Sequence, residues 1–537
     1  MKKILLTAAI IVSSSYLLAQ TEFDALKYTQ QDINGTARYM GMAGAFGALG
    51  GDASAIKDNP AGLGIYRKSE LSGTLNVLMQ NTTSNWQYTS GNAKVNSYGY
   101  GDLYRVGPNS FSLVLASPTW RADNGSDGLQ SSNWSFSYNR LRNFNRSLFS
   151  TSGPSMSSIT DYMGYFSEGY NSYDLAYGVG YNNYTIDDLL NDPGIATLSI
   201  YGYQGYLMDS TGVGKWGSSI YSNMISPKFT RFEKGYLDEY SVGWAGNFSN
   251  IFYFGATLNF QSLNYSSATT YAENFGTEGS MSIGDTIYTK GTGMNLNIGT
   301  IISPVEFLRI GLSLHTPTIF DISERNYSTF HYDKNDLALE TTYSGTIVSP
   351  EFPTPYQLQS PLRLNASVAF ILGTKGLISA EYVYNHNTGT RLMNENGDSQ
   401  AYQDENQGMK TALNDSRTIK IGGEYRLTEN FSLRAGYANT NNETSPTAEK
   451  FLGLTTKSVD TSYFLHNSTN YLTAGFGYRE SNWFIDFAFV NKTINETFYP
   501  YNTNNLVKDY QNNNLAVNPA KVITNNTNAV VTLGLKF

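Results

Sequence analysis

The sequence predicts an all-β chain: a transmembrane antiparallel β-barrel of about 14 strands whose lumen is plugged by an N-terminal hatch. Three observations predict it. Apolar and aromatic residues alternate with small, polar or charged ones in one segment after another. The connections fall into two classes, tight turns and long loops, that follow each other in turn. The chain closes on an amphipathic strand whose last residue is Phe537.

Composition agrees with this class. The 41 Tyr, 28 Phe and 50 Gly, with only 15% charged residues, suit many aromatic-flanked strands joined by polar loops. A net charge of −8 and the lack of a long basic run exclude a nucleic-acid partner; Arg140, Arg142 and Arg146 form a local face only. The absence of Cys excludes disulfides and Cys-metal chemistry.

Residues 1–20 read as a signal peptide: Met1-Lys2-Lys3, an apolar run over 4–12 and a cleavage point at Ala19-Gln20. The run is too short to span a bilayer, and no stretch of about 18 apolar residues follows it. No Cys follows the leader, so a lipoprotein is excluded.

Residues 21–66 are expected to form the hatch. Gly41, Gly44, Gly47 and Gly50 recur at a three-residue spacing. Then come Asp52, a short Ala-rich turn of helix, and Asn59-Pro60-Ala61-Gly62. Small residues let backbone pack closely on backbone, which suits a segment held in a confined space. The run lacks the Lys-Ser/Thr ending of a phosphate loop and no strand precedes it, so nucleotide binding is excluded.

Residues 67–537 are expected to form the barrel with long extracellular loops. Strands are expected over 70–80, 109–120, 133–143, 237–247, 251–265, 292–303, 306–316, 362–372, 376–387, 416–427, 430–440, 469–479, 482–492 and 527–537. Tight turns at 248–250, 373–375 and 480–481 alternate with loops at 266–291, 317–361, 388–415, 441–468 and 493–526. A soluble sandwich also alternates, but it would not sort its connections in this way. The last strand sets Ala529, Val531, Leu533, Leu535 and Phe537 on one face, and in lipid it must pair with the first.

The register assigns the two faces. Leu, Ile, Phe and Tyr meet lipid. Arg309, Arg363, Glu381, Lys420, Glu424, Arg426, Arg434, Asp486 and Lys492 point into the lumen, because Arg or Lys facing lipid costs about 2–4 kcal/mol near the midplane. These charges either neutralise one another and stiffen the wall or contact a passing solute.

The largest loop, 145–236, is long enough to carry its own structure. Helices are expected at 155–170 and 185–190, the second opened by Thr185 with Asp188 as a capping box. Met163, Phe166, Ile186, Leu189 and Leu190 then bury against each other and the rim, or line the mouth of a greasy site. His315, His331, His386 and His466 fall at or beyond the outer strand ends and are expected to be solvated loop residues, with an external haem or metal site as the alternative. No His pair has i, i+4 spacing and no G-x-S-x-G occurs, so no catalytic centre, metal or cofactor is expected and the chain reads as a non-enzyme.

The N-terminal motifs carry a family likeness. G-T-A-R-Y-M-G-M-A-G-A-F-G-A, then G-D-A-S-A-I and N-P-A-G-L, resemble the N-terminal segment of the FadL-type outer-membrane transporters of hydrophobic compounds. The matched positions are Arg38, Gly41, Gly44, Ala45, Phe46, Asp52, Ala55, Asn59, Pro60, Ala61 and Gly62. The plan of leader, plug, fourteen strands and terminal Phe is similar too; the loops are not. The resemblance implies a hatch whose gating residues are Arg38, Gly41, Gly44, Phe46, Asp52, Asn59, Pro60 and Ala61. It implies capture of long-chain fatty acids or similar hydrophobic molecules outside, then lateral release into the membrane through a gap at a kink in the third strand. The matching segment here loses alternation at Arg140-Leu141-Arg142, without Gly or Pro to mark a kink.

The implied setting is the bacterial outer membrane. The implied partners are a hydrophobic ligand, outer-membrane lipid and the barrel-assembly machinery, with the protein a monomer. No energy-coupling box is visible, so passage is expected to be passive. Two alternatives remain: a non-transporting outer-membrane scaffold or partner of a secretion or surface machine, and a haem-binding receptor.

Overall fold

Alternation along each strand is matched by pairing on both sides. The wall strands are β1 (Glu70–Ser90), β2 (Ala93–Leu115), β3 (Leu129–Asn143), β4 (Ser226–Phe248), β5 (Phe252–Asn274), β6 (Gly279–Val305), β7 (Leu308–His315), β8 (Arg363–Leu372), β9 (Gly376–Asn385), β10 (Ser416–Arg426), β11 (Phe431–Thr440), β12 (Tyr463–Arg479), β13 (Trp483–Tyr499) and β14 (Ala520–Lys536). Each is antiparallel to the next, and β14 returns to β1 from Trp86↔Ala520 to Glu70↔Lys536. The result is a closed barrel of 14 strands. The computed structural model describes residues 21–537 apart from 91–92, 125–126, 156, 179–183, 223, 451, 453–455 and 503–516, so the expected leader lies outside it.

The outer face explains why the sheet closes. Leu75 and Met79 on β1, Phe111 on β2, Ile419 and Ile421 on β10 and Leu433 on β11 all stand exposed on it. A wall with this face needs lipid around it, and lipid offers no partner for an open edge. Above Met79, the outward positions of β1 become Asn81, Thr83, Asn85 and Gln87, which marks the outer limit of the apolar band. On the opposite rim the β4–β5 turn places Ser249 and Asn250 both at positive φ, the geometry of a type I′ hairpin turn.

The outer connections differ from expectation. Residues 266–291, expected as a loop, are mostly strand: β5 and β6 continue to Asn274 and from Gly279, paired throughout. Likewise β1 and β2 run past residue 80 and begin before residue 109, with only 91–92 between them. Within 317–361, Ile319–Asp336 continues the wall beside β6. The reason is that pairing above the lipid needs no apolar outer face. Ser267, Thr269, Tyr271 and Glu273 keep a period-two burial that hydrophobicity alone does not display.

Residues 145–236 build a cap. Arg146–Thr151 is a short strand on β4. Helices follow at Ile159–Phe166 and Ile186–Asn191, the latter opened by the Thr185–Asp188 capping box, and a further helix at Thr197–Gln204. Met163, Phe166, Leu189 and Leu190 bury together with Trp86, Phe229, Phe330 and Phe498 of the rim. This is a filled core, not a greasy mouth. The loop before β12 fastens onto it: the Lys457 ammonium donates to the carbonyls of Asp192 and Ile195, the latter at 2.7 Å. Burial lowers the Lys457 pKa to about 8, with Asp192 acting against the fall.

Candidate functional site

Residues 21–66 fold as short helices packed against the inner wall. They are α1 (Glu22–Thr29), α2 (Ala37–Gly41) and two 3-10 segments, Ala53–Lys57 and Pro60–Ile65. Each of the last three is opened by a polar cap. Thr36 accepts from Tyr39 N, Asp52 from Ser54 N and Asn59 from Ala61 N. Pro60 and Ala61 thus begin the last turn, with Pro where its missing N–H costs nothing. The second 3-10 segment closes on the loop before the first at Gly62 and Gly50: a Cβ on Gly50 would stand 2.6 Å from Gly62 Cα.

Most expected inward charges engage this segment. Arg38 grips Glu424 through Nε at 2.8 Å and Nη2 at 3.1 Å. Glu424 also accepts from Arg434 at 2.6 Å, and Arg434 reaches Asp486 at 2.6 Å. One ionic chain therefore joins α2 to β10, β11 and β13. Phe46 lies against Tyr39 and beneath the Arg38 guanidinium, 5.3 Å away. Asp52 accepts from Thr36 Oγ1 at 2.8 Å. Glu381 accepts from Gly47 N at 2.8 Å and from Lys420 at 2.9 Å. Arg309 donates to Leu49 O at 2.8 Å. Asn59 Nδ2 donates to Gly47 O at 2.7 Å and to Thr300 O on β6 at 3.1 Å. Lys492 pairs with Asp32.

Two of the expected residues stand apart. Arg426 keeps the inward parity of β10 but sits at the strand's end, exposed at the rim. Gly41 is packed without compression: a Cβ there would meet nothing nearer than 3.5 Å, so tight backbone packing is not its role. The expected tightness falls instead on Gly44, Gly47 and Gly50, where a Cβ would meet atoms at 2.6–2.8 Å.

Sequence reasoning missed Asp58. It is fully buried and gathers Arg363 at 3.1 Å, Lys57 at 3.4 Å, Lys420 at 3.5 Å and the Tyr39 hydroxyl. Its neighbour Asn59 stands out in the sequence through Pro60, while a lone Asp carries no pattern. The histidine expectation fails for two residues. His315 is buried with Nε2 2.8 Å from Asp58 O, and His466 is buried between Glu443 and Thr469. Both lie on the inner face of the wall, where the N-terminal segment covers His315 and the loop before β12 covers His466 at strand ends that the sequence leaves open. His331 and His386 are exposed.

Among the described residues the wall has one weak seam. β2 and β3 share rungs only from Leu115↔Trp134 to Ser110↔Asn139. Beyond Ser110, β2 bulges at Asn109, whose side chain turns in to donate to Gly35 O at 2.6 Å. Pro108, next along, has no N–H to offer a rung. On the other side β3 shifts register against β4 between Arg140 and Arg142. The chain then slides behind β2: Ser84 Oγ of β1 donates to Phe149 O at 2.8 Å. Gly99 and Gly101 allow this overlap, because a Cβ would lie 2.2 Å from Phe149 O and 2.4 Å from Ser147 O. Between the last rung and the overlap, the two strands leave a gap.

Two cavities meet behind the gap. One, of about 210 Å³, lies between α1 and the upper wall. The other, of about 90 Å³, reaches the gap itself at Val106, Gly107, Pro108 and Arg140. Asp32, Ile33, Tyr471 and Lys492 line both, so the Asp32–Lys492 pair stands where they adjoin. Among the described residues no group of three or more His, Cys, Asp or Glu could hold a metal.

No family model matches the chain, and no curated protein matches it. Among solved structures it is similar to a FadL homologue of Pseudomonas aeruginosa, at 11% identity and a TM-score of 0.48, covering 95% of this chain and 98% of that one. It is similar to the toluene transporter TodX of Pseudomonas putida at 10% identity and a TM-score of 0.47, covering 95% and 100%. It is also similar to the toluene transporter TbuX of Ralstonia pickettii at 12% identity and a TM-score of 0.47, covering 94% and 99%.

Proposed function

We propose that this protein carries hydrophobic small molecules, long-chain fatty acids or similar, inward across the bacterial outer membrane. Passage is passive. Cargo enters the upper cavity from outside, passes the plug at the Asp32–Lys492 pair and leaves sideways through the gap between β2 and β3 into the membrane. The observation that carries this reading is the gap: a wall that gives up its pairing within the apolar band, directly behind which a cavity opens. A barrel that served only as a wall gains nothing from unpaired backbone in lipid. Binding must be strong enough to admit cargo and weak enough to release it, which a small polar-and-apolar cavity allows.

Residues 21–66 act as the hatch in this reading. Arg38 and Asn59 hold it against the wall and Phe46 and Asp52 brace it from within, while the stretch from Gln30 to Asn34 is the part that shifts for cargo to pass. His315 and His466 line the upper cavity, but His315 Nε2 engages Asp58 O and both His466 nitrogens are taken up, by Glu443 N and Thr469 Oγ1, which gives a haem receptor little support. The scaffold reading has one observation in its favour, the solid apolar core of the cap. Uptake of labelled long-chain fatty acids by cells with and without the gene separates these readings. Faster uptake with the protein is expected; equal uptake leaves the scaffold.

A further inference from the structure

Each lip of the gap carries a guanidinium group, one of them without an ion-pair partner among the described residues. Arg105 stands on the inner-facing parity of β2 across from Leu78 of β1, and its side chain lines the gap cavity. It is exposed there and makes no hydrogen bond or ion pair among the described residues. Arg140 forms the opposite lip on β3. Its guanidinium is held by Asp238 at 3.0 Å and by the Tyr138 hydroxyl at 3.1 Å, and lies 4.7 Å from the Tyr236 ring centre. Arg140 Nη1 comes within 3.3 Å of where a Cβ on Gly107 would stand, so it reaches across to β2.

Among the described residues the one carboxylate lining this cavity is Asp32, and Lys492 already engages it. Most of the remaining polar lining is amide, including Asn76, Asn109, Asn143 and Asn526. A cavity for an uncharged hydrocarbon would not carry this lining. An unpaired guanidinium at the edge of lipid is costly, and a passing anion offsets that cost. Guanidinium is also the group whose fork matches a carboxylate best.

We propose that Arg105 and Arg140 form an anion-binding lip that sorts cargo by its head group at the exit. An amphipath with an acid head passes with that head held between the two guanidinium groups, its apolar tail already in the membrane. Arg105 is the specificity-determining residue and Arg140, fixed by Asp238, positions the second contact. This inference rests on the transport reading above and adds to it a preference between two cargoes of equal apolar length.

The test uses the full-length mature barrel in vesicles of zwitterionic phosphatidylcholine, which carry no net lipid charge. Transfer is measured for a long-chain carboxylate and for the alcohol of the same chain length. The wild type is expected to favour the acid. Arg105→Gln is expected to lower the acid-to-alcohol transfer ratio about tenfold, with Arg105→Lys intermediate. Arg140→Gln should lower the same preference, and heat-modifiable gel mobility checks that each variant is a folded barrel. Equal transfer of acid and alcohol by the wild type, or an unchanged preference in folded Arg105→Gln, overturns the lip while leaving transport intact. Transfer of neither cargo by the wild type overturns the transport reading and the lip with it. A preference that appears only when anionic phosphatidylglycerol is added would assign the arginines to a membrane head group and overturn the cargo assignment.

Discussion

Between β14 and β1 the wall is paired from Ala520↔Trp86 down to Lys536↔Glu70 without a break. Between β2 and β3 the rungs stop at Ser110↔Asn139, although β2 runs on to Ala93. Both seams face the same lipid and join strands of similar composition. They differ in three local features: a bulge at Asn109, a Pro at 108, and Gly99 and Gly101 above them. The closing seam shows that the chain can pair fully in this setting. The β2–β3 seam is therefore a feature built by particular residues. Its upper end is held by overlap, with residues 146–151 tucked under β2, and its floor by the last rungs. The N-terminal segment reinforces its lower end, through Asn109 on Gly35, and the back of the cavity, through Asp32 on Leu141.

The largest way to break this contrast is to refuse the overlap. Gly99→Val or Gly101→Val would drive a side chain into the backbone at Phe149 or Ser147. Overpacking of this kind costs about 1–3 kcal/mol. The overlapping strand must then move, so cargo uptake is expected to fall sharply while the rest of the barrel still folds. Uptake together with heat-modifiable mobility checks it; a variant with unchanged uptake would mean the overlap does not set the gap.

A smaller effect sharpens the contrast from the plug side. Gly47→Ala would press on Ser367 Oγ at 2.7 Å and on Glu381 Oε2 at 2.8 Å, whereas Gly41→Ala meets only ordinary contacts. Gly47→Ala is expected to loosen the plug by about 1–3 kcal/mol, and Gly41→Ala to change it by less than about 0.5 kcal/mol. Hydrogen exchange over residues 36–50 reads the difference. Equal protection in both variants would show that the glycine spacing, not the local space, matters.

The fourteen wall strands were legible in the sequence because lipid forces a strict two-residue period wherever it touches the wall. Their outer extensions were not, since Ser and Thr on both faces pair without an apolar signal, as in the stretch from Ser266 to Thr270. The inward charges were legible from parity alone: Glu424 and Arg434 are directly opposite each other in the ladder. Their partners in the plug were not, because no pattern ties Asp58 to Arg363 or Asp32 to Lys492 across hundreds of residues. The loss of alternation at Arg140-Leu141-Arg142 is where β3 shifts register. Its Pro marker, though, lies on the partner strand at Pro108 rather than on β3. A gap is a property of two strands, and its signal was divided between them.

The most direct measurement closes the gap and leaves the rest of the barrel alone. The chain has no native Cys, so Gly107→Cys on β2 and Asn143→Cys on β3 make a clean pair on opposite lips of the gap cavity. A short, cleavable thiol cross-linker joins them in the folded barrel. Uptake is expected to stop on cross-linking and return on cleavage, with each single Cys variant unaffected by the reagent. Full uptake through the cross-linked barrel would contradict lateral release and send the cargo by another route.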